Sequence, residues 1–571
     1  MEDHMPEKAK KIVIVGGVAA GATAAARARR LDEQAEILLL ERGPYVSFAN
    51  CGLPYHIAGT IEKRSKLLLQ TPEGFFSRYR VQVLLNTEAI EIDRQKKQVI
   101  LRDNRAADPA RGTSRIDYDG LILAQGGTPV IPPLSGVDQS HVFKLWTIPD
   151  MDAINKYIKE HNPKQVVVVG GGFIGLETAE AFVERGLSVT LVELTDHLMP
   201  PMDAIYGKRI QERFEAAGAK VLIQKGVQSI QKDRVSLNDG TEIPADMVLL
   251  SVGVRPNSEL AKKAGLEIGS TGALAVGEYL RTQDPFIWAA GDMVEVVSLV
   301  SGAKVRIPLA GPANRQGRIA ATNVVATLAE QRGEPGPALH KYRGAIGTSV
   351  VKIFDETAAS TGFSLTAARK AGFDARETTI LRAHHATYYP GDQALLLTLV
   401  YEAKTGKLLG AQAYGKEGVE KRIDAAAVAI YAKLTVEDLA EIDFAYAPPY
   451  SSANDPLNMA AFTAVNALSG YSPQISSDEL PLDNSVQIVD VRTYGEYARG
   501  HLEQATHIPV DELRDRLDEV SHEKPIRLIS EGGFEGHLAN RILKQQGFKD
   551  VAYISGGWAT LRLRDSLKIE V

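Results

Sequence analysis

The stretch Ile12-Val13-Ile14-Val15-Gly16-Gly17-Val18-Ala19-Ala20-Gly21 joins a short apolar run to a glycine-rich turn, and it is the strongest indication of the fold. An alanine- and arginine-rich segment follows, and then a second apolar run that ends at Glu41. Gly16 permits a tight turn, Gly21 permits close packing of a helix, and the N-terminus of that helix faces a pyrophosphate. Val18 stands where a second glycine is usual, but an acid about 20 residues further on is the group that binds a ribose. The stretch therefore predicts a dinucleotide-binding unit that uses Gly16, Gly17, Gly21 and Glu41.

The same pattern recurs after residue 165, where four valines precede Gly170-Gly171-Gly172-Phe173-Ile174-Gly175 and a later apolar run ends at Glu193. This copy matches the full glycine fingerprint, so Gly170, Gly172 and Gly175 are expected to hold a second dinucleotide. Glu193 would accept hydrogen bonds from the ribose hydroxyls and repel a 2′-phosphate, which favours NADH over NADPH. A lysine or arginine from elsewhere could still bind that phosphate, so the strictness of the preference stays open.

Composition bounds the class of protein. Of the 571 residues, 44% are hydrophobic and 24% are charged, which is typical of globular chains. Cores above about 250–300 residues normally split, so several domains are expected. The net charge is −6, and acids and bases are interspersed, so nucleic acid is not an expected partner. The sequence shows neither an apolar signal region at its start nor a membrane span, and its single cysteine allows no disulfide framework, so we expect a cytoplasmic protein without membrane contact.

A third buried run, Ile287-Trp288-Ala289-Ala290-Gly291-Asp292, ends in an acid directly after a glycine. Taken alone, Asp292 would be interpreted as a cap for the following segment. Its position after two dinucleotide units favours another role, in which Asp292 receives a ribityl hydroxyl of a flavin and Gly291 lets the backbone approach.

Together with the stretch Pro308-Leu309-Ala310-Gly311-Pro312-Ala313-Asn314-Arg315-Gln316-Gly317, these units resemble the pyridine nucleotide-disulfide oxidoreductase family. The run Ser47-Phe48-Ala49-Asn50-Cys51-Gly52-Leu53-Pro54 resembles its branch of coenzyme A-disulfide reductases, single-cysteine NADH oxidases and persulfide reductases. The resemblance implies an FAD domain at 10–154 and 256–337, an NAD domain at 155–255 and a dimerisation domain at 338–465.

The last part of the chain follows a polar linker, predicted at 466–480, and its segment 481–571 resembles a rhodanese domain. The residues that carry this likeness are Val489-Asp490-Val491-Arg492, Glu496, Gly500-His501, Ile508-Pro509 and Gly556-Gly557-Trp558. The expected fold class is therefore α/β, with two Rossmann-like domains for FAD and NAD, an α+β dimerisation domain and a C-terminal α/β rhodanese-like domain.

The rhodanese-like loop departs from the active pattern. It reads Ser530-Glu531-Gly532-Gly533-Phe534-Glu535-Gly536, with Ser530 in place of the usual cysteine and Glu535 where arginine is common. Serine cannot carry a persulfide, and a carboxylate opposes an anion. We therefore expect no sulfur transfer by this domain, which could instead dock a partner or the reductase itself.

Cys51 is the only cysteine of the chain, so its oxidised state must be a sulfenic acid or a mixed disulfide with a small thiol. It precedes a segment that can begin a helix, and a helix N-terminus lowers the pKa of a thiol and favours the thiolate. The alternative, a buried and inert cysteine, is the usual fate of an isolated one. The motif and its order in the chain favour the reactive role.

The resemblance also implies the remaining parts of the site. Electrons pass from NADH through FAD to Cys51, which forms a mixed disulfide with coenzyme A, and Tyr388 and Tyr446 of the other subunit of a homodimer supply protons. Tyr389 and Tyr450 are neighbouring substitutes for them, and packing is the plainer role for all four. Further contacts to substrate or flavin are expected from Ser47, Asn50, Asn314 and Asn454, and Arg27 and Arg30 are expected to hold coenzyme A phosphates unless they form a solvated helix face. No metal site is expected.

Three functions remain open on the sequence. The first is an NADH-dependent reductase of coenzyme A disulfide, coenzyme A persulfide or polysulfide, with a small sulfur compound as its substrate. The second is an NADH oxidase that reduces oxygen at the flavin. The third is a flavin-based redox sensor whose tail binds a partner.

Overall fold

The glycine-rich turns connect strands and helices as the sequence predicts. A computed structural model describes residues 9–106, 112–481, 483–564 and 567–570. The chain divides into two compact units, one formed by Met1–Val192 and Lys225–Ala345 and the other by Glu193–Gln224 and Ile346–Val571. The predicted domain boundaries are finer than this division and stay a prediction.

The first unit is built on a parallel five-stranded sheet, with strands in the order Ile287–Ala289, Gly120–Leu123, Lys11–Val15, Glu36–Leu40 and Val81–Leu84. Its central strand is apolar on both faces, and Ile12, Val13 and Ile14 are completely buried, as in sheets covered by helices on both sides. The helices Ala19–Leu31 and Ala310–Arg332 pack closely, since a Cβ on Gly317 would lie 2.1 Å from the carbonyl oxygen of Ala20.

A second parallel sheet in this unit contains Val142–Phe143, Met247–Leu250, Gln165–Val169 and Ser188–Val192 in that order. The helices beside it are Ile148–His161 and Phe173–Glu184. The remaining helices of the unit are short: Asn50–Gly52, Leu53–Ala58, Arg64–Leu67, Pro72–Tyr79 and Glu259–Lys263. Its remaining strands form small sheets: Thr87–Asp93, Gln98–Asp103, Thr113–Asp117, Gly127–Pro129, Val227–Ile230, Arg234–Leu237, Glu242–Pro244, Val254–Pro256, Leu274–Ala275, Val294–Val297 and Lys304–Val305.

The second unit contains an antiparallel sheet with strands in the order Ser349–Ile353, Glu356–Gly362, Leu408–Gly415, Ala394–Glu402 and Ala375–Ala383. Ala375–Ala383 is therefore an edge strand. The helices of this part are Ala204–Ala216, Leu365–Lys370, Val419–Tyr431, Val436–Glu441 and Pro456–Leu468, and the short strand Lys220–Leu222 follows the first of them.

The C-terminal part of the second unit has a parallel five-stranded sheet of its own. Its strands are ordered Gln474–Ile475, Val551–Ile554, Ile526–Ile529, Gln487–Asp490 and Thr506–His507. Its helices are Ser477–Glu479, Tyr494–Tyr497, Leu513–Asp515, Leu517–Glu519, Phe534–Gln545 and Trp558–Leu561. The strands His501–Leu502 and Ile569–Glu570 pair in a small sheet of their own. Two parallel sheets, an antiparallel sheet with helices and a C-terminal parallel sheet confirm the predicted fold class.

No helix in the described part of the chain is both long enough and apolar enough to cross a membrane. The cytoplasmic location stays a prediction.

Candidate active site

The first glycine-rich turn forms one wall of a cavity inside the first unit. Among the residues that line it are Gly16, Gly17, Glu41, Asn50, Gly291 and Asp292. Gly16 has a φ of +103°, and a Cβ there would lie 2.2 Å from the carbonyl oxygen of Ala124. A Cβ on Gly21 would lie 1.8 Å from the carbonyl oxygen of Gly16. The turn therefore requires glycine at both positions, as expected where a backbone approaches a pyrophosphate.

Two carboxylates at this cavity fit a dinucleotide that carries a flavin. Glu41 accepts hydrogen bonds from the backbone N–H of Gly17 at 2.9 Å and of Gly43 at 2.8 Å, which fix it at the end of its strand. Asp292 accepts no hydrogen bond from any described residue and precedes a strand, Val294–Val297, so it caps no helix. Burial raises the pKa of Asp292 to about 6 against the opposing effect of Arg306. The residues present thus fit FAD, with Asp292 available for a ligand hydroxyl.

Cys51 lies in the turn Asn50–Gly52, directly before the helix Leu53–Ala58, and its side chain is exposed. This exposure favours the reactive role over that of a buried, inert cysteine. The expected low pKa is wrong for the protein alone: desolvation by the surrounding protein atoms raises the pKa of Cys51, and the charges of Glu177 and Asp292 raise it further. A backbone hydrogen bond at Cys51 lowers its pKa, but by less than these effects raise it.

Glu177 and Tyr55 belong to the surroundings of Cys51, although neither was predicted. The Tyr55 hydroxyl donates to a carboxylate oxygen of Glu177 at 3.3 Å. Burial, followed by the charge of Glu180, raises the pKa of Glu177 to about 7. The available signal was an acid at the fifth position of an otherwise apolar helix start, Phe173-Ile174-Gly175-Leu176-Glu177.

Ser47 and Asn50 lie close to the cavity that fits FAD. Ser47 has a φ of +47°, and its N–H donates to the carbonyl oxygen of Gly17 at 2.8 Å. The side-chain oxygen of Asn50 is 3.8 Å from the Cys51 sulfur. Asn314 accepts a hydrogen bond from Thr23 at 2.6 Å, which places it beside the first helix.

Arg27, on the first helix, lies near Arg30 of the same helix and near Arg318 of the helix Ala310–Arg332. Desolvation lowers the pKa of Arg27, and the charges of Arg318 and Arg30 lower it further. Arg27 donates to the Thr322 hydroxyl at 3.3 Å, and no described residue forms an ion pair with any of the three arginines. Arg27 and Arg318, without a carboxylate partner, suit the binding of an anion. Arg30 is exposed and donates to the carbonyl oxygen of Ala26 in its own helix at 3.0 Å, as expected of a solvated helix face.

The second glycine turn repeats the geometry of the first. Gly170 has a φ of +105°, and a Cβ on Gly175 would lie 1.9 Å from the carbonyl oxygen of Gly170. Gly172 has open space around the position of a Cβ, as needed where a ligand passes the backbone. Glu193, in the other unit, is buried, and one carboxylate oxygen accepts from the N–H and the hydroxyl of Thr195, both at 2.8 Å.

In the second unit, Tyr388 and Tyr446 meet although 58 positions separate them. Their hydroxyl oxygens are 2.7 Å apart, and their side chains are 73% and 47% exposed. This hydrogen bond is the main cause that raises the pKa of Tyr388. The exposure of both rings excludes a core-packing role within this chain. Tyr389, Tyr450 and Asn454 are also exposed.

The rhodanese-like loop is closed within the second unit. Ser530 is buried, and its hydroxyl accepts from the N–H of Gly533 at 3.0 Å. Glu535 lies in the first turn of the helix Phe534–Gln545. The backbone N–H of Leu381, on the edge strand Ala375–Ala383, donates to the carbonyl oxygen of Gly532 at 3.4 Å.

Comparisons with known proteins agree with this organisation. Residues 10–317 match the pyridine nucleotide-disulphide oxidoreductase family, 348–456 its dimerisation domain and 477–562 the rhodanese-like domain. A coenzyme A-dependent NAD(P)H sulfur oxidoreductase of Pyrococcus abyssi is 36% identical over 79% of this chain and 97% of its own. An NADH oxidase of Methanocaldococcus jannaschii is 35% identical over 80% and 99%.

The tail is shared with a protein of known structure. The match to the crystal structure of reduced CoADR-RHD from Bacillus anthracis covers 97% of this chain and 98% of the chain in that structure, with 39% sequence identity and a TM-score of 0.92. The family match alone spans more than half of the chain, and the match to the sulfur oxidoreductase covers nearly all of that relative. The chain therefore belongs to the pyridine nucleotide-disulphide oxidoreductase family, whose enzymes use FAD and NAD(P)H.

Proposed function

We propose that the chain is an FAD-dependent, NADH-consuming reductase of coenzyme A disulfide, coenzyme A persulfide or polysulfide, acting as a homodimer. The observation that carries the proposal is Cys51, an exposed and solitary thiol next to the cavity that fits FAD. The name of the Pyrococcus abyssi relative, a coenzyme A-dependent sulfur oxidoreductase, supports the same substrate class.

The cofactor sites follow from the two glycine turns. We assign FAD to the cavity, held by Gly16, Gly17, Gly21, Glu41, Gly291 and Asp292. We assign NADH to the second turn, held by Gly170, Gly172, Gly175 and Glu193. FAD, when bound, supplies the transfer of two electrons from NADH to sulfur. The carboxylate of Glu193 favours a ribose with both hydroxyls unmodified.

Cys51 acts as the nucleophile toward the sulfur substrate. Its thiolate attacks one sulfur of coenzyme A disulfide, the sulfur–sulfur bond breaks, and one coenzyme A thiolate leaves. Cys51 then carries the second coenzyme A in a mixed disulfide, whose two-electron reduction releases that thiol and restores the Cys51 thiolate. With a persulfide or polysulfide the released product is a thiol or sulfide. Glu177 and Asp292 oppose the Cys51 thiolate less when they are protonated, and their raised pKa values allow this near neutral pH.

Tyr388 and Tyr446 are assigned as the proton donors for the leaving thiolate. Whichever of the two hydroxyls accepts the hydrogen bond becomes a better donor in turn, and the raised pKa of Tyr388 keeps it protonated at neutral pH. Both rings are exposed, so they are available to the Cys51 of the partner subunit in a homodimer. Ser47, Asn50, Asn314 and Asn454 complete the proposed contacts to substrate or flavin.

Arg27 and Arg30 are assigned to the phosphates of coenzyme A. The double variant Arg27→Ala/Arg30→Ala is expected to raise KM for coenzyme A disulfide about 10²-fold or more, since each of the two lost hydrogen bonds to a charged group contributes about 1.5–3 kcal/mol and about 1.4 kcal/mol is tenfold. Steady-state kinetics with inorganic polysulfide, which has no phosphate, should show an unchanged KM. Lys156→Ala, on an exposed helix face of the same unit, is the matched control. An equal loss with both substrates would remove the phosphate assignment.

The substrate class is tested by anaerobic NADH oxidation with coenzyme A disulfide, coenzyme A persulfide and polysulfide as separate acceptors, compared with air. Rapid turnover with a sulfur acceptor under anaerobic conditions is expected, and the rates rank the acceptors. Turnover with oxygen alone would make the chain an NADH oxidase, the activity named for the Methanocaldococcus jannaschii relative. If none of these acceptors supports turnover, and protein binding depends on the flavin redox state, the chain would be a sensor.

We further assign no sulfur transfer to the rhodanese-like domain. Ser530→Cys is expected to leave thiocyanate formation from thiosulfate and cyanide at background, because the loop itself carries the acids Glu531 and Glu535 and residue 530 is only 1% exposed. A disulfide reagent should label one thiol in the folded variant and two after unfolding. Thiocyanate formation by this variant would mean that the loop lacks nothing but its cysteine.

A further inference from the structure

The two loops that carry Tyr388 and Tyr446 are both hydrogen-bonded to one buried ion pair, formed by Arg422 and Asp455. Tyr388 follows the edge strand Ala375–Ala383, and Tyr446 precedes the helix Pro456–Leu468. Since both tyrosine rings are largely exposed, little packing around the rings fixes them, and their 2.7 Å contact depends on where the two loops hold the backbone.

Arg422 anchors the first of these loops. Its side chain is 1% exposed in the helix Val419–Tyr431. Nη2 donates to the carbonyl oxygen of His384 at 2.7 Å, four residues before Tyr388, and Nη1 donates to that of Gly418 at 3.1 Å. The same guanidinium donates to both carboxylate oxygens of Asp455, at 3.0 and 3.3 Å.

Asp455 anchors the second loop. It is 2% exposed, caps the helix Pro456–Leu468 through the N–H of Leu457, and accepts from the Ser451 hydroxyl at 2.8 Å. The backbone of Ser451 then joins both loops. Its N–H donates to Ala447, the neighbour of Tyr446, and its carbonyl oxygen accepts from Ala386, both at 3.2 Å.

A buried ion pair of this kind is suited to fixing the positions of the two loops. Bidentate arginine–carboxylate hydrogen bonds are directional, and burial makes the loss of either partner costly because the other charge is left unpaired. Lys421 approaches Asp455 at 3.7 Å from a half-exposed position, so Arg422 is the partner that connects Asp455 to His384.

We propose that Arg422 and Asp455 are positioning residues that hold Tyr388 and Tyr446 together as one proton-donating pair. The proposal rests on the function proposed above, because it gives the pair a purpose only if the tyrosines donate protons. Neither Arg422 nor Asp455 is assigned a contact with the substrate, and both act through the two loops.

A double-mutant cycle tests this proposal in the full-length holoenzyme. Asp455→Asn is expected to lower kcat with coenzyme A disulfide about tenfold and to leave KM for NADH unchanged. In a Tyr388→Phe/Tyr446→Phe background, the same change should have no further effect, because the hydroxyls that it positions are gone. Asp355→Asn, which breaks the exposed contacts of Asp355 with Arg213 and Lys416 in the same unit, should leave kcat unchanged.

Two further variants keep the test decisive if Asp455→Asn does not fold. Ser451→Ala removes one hydroxyl, and Arg422→Lys keeps the charge, and each should lower kcat less but with the same dependence on the tyrosine hydroxyls. Equal losses with and without those hydroxyls would overturn the positioning role and leave a structural one. If Tyr388→Phe/Tyr446→Phe itself left kcat unchanged, the proposed proton donors would be wrong, which is a separate result from failure of the positioning role.

Discussion

Cys51→Ser is expected to lower anaerobic reduction of coenzyme A disulfide by NADH about 10³-fold or more, while FAD remains bound. Loss of an essential nucleophile has effects of at least this size, and serine can form neither a mixed disulfide nor a sulfenic acid. Because Cys51 is the single cysteine, no other protein thiol can replace it. Steady-state kinetics, with the FAD content taken from the absorption spectrum, measure the effect.

The control for this variant is the first half of the reaction, the reduction of the flavin by NADH. NADH should still bleach the flavin of Cys51→Ser, because the residues assigned to both cofactors are unchanged. Sulfur reduction at the rate of the native enzyme would show that the acceptor is reduced without Cys51, and the nucleophile assignment would then fail.

Tyr388→Phe/Tyr446→Phe is expected to produce the second largest effect, a fall in kcat of about 10²–10³-fold, in the range typical of lost general acid catalysis. Each single variant should lose less, since one hydroxyl of the pair remains. Because Phe keeps the ring, the substitution removes the proton donors and preserves most of the surface. The measurement is kcat with coenzyme A disulfide, alongside KM for NADH, which should not change.

Tyr389→Phe and Tyr450→Phe are the matched controls for the tyrosine pair. Both residues are exposed neighbours of the pair, and neither is expected to lower kcat. A large fall with either control, and none with the double variant, would transfer the donor role to these neighbours.

Much of the fold could be predicted because the glycine turns follow backbone sterics. Gly16 and Gly170 adopt a positive φ, and Gly21 and Gly175 admit no Cβ. Glycine is therefore required at these positions, and the pattern of glycines is visible in the sequence. The apolar runs beside them predict strands because both faces of those sheets are buried. Such signals are local, so they can be recognised without knowledge of the rest of the chain.

The electrostatics of the site could not be predicted in the same way. The pKa of Cys51 is raised because Glu177 and Asp292 come close to it in the folded chain, although they lie far away in the sequence. The contact between Tyr388 and Tyr446, and the buried pair of Arg422 and Asp455, also depend on the tertiary arrangement of loops. Burial and distance, which fix these effects, have no local signature.

In the proposed reaction, Cys51 alternates between a thiolate and a mixed disulfide with coenzyme A. The most direct test is mass spectrometry of the intact holoenzyme, treated with coenzyme A disulfide and then with NADH under anaerobic conditions. We expect one coenzyme A adduct per chain, located on the Cys51 peptide, and its loss on NADH addition with release of one equivalent of coenzyme A. An enzyme that turns over coenzyme A disulfide while no adduct forms at Cys51 would contradict the proposed reaction.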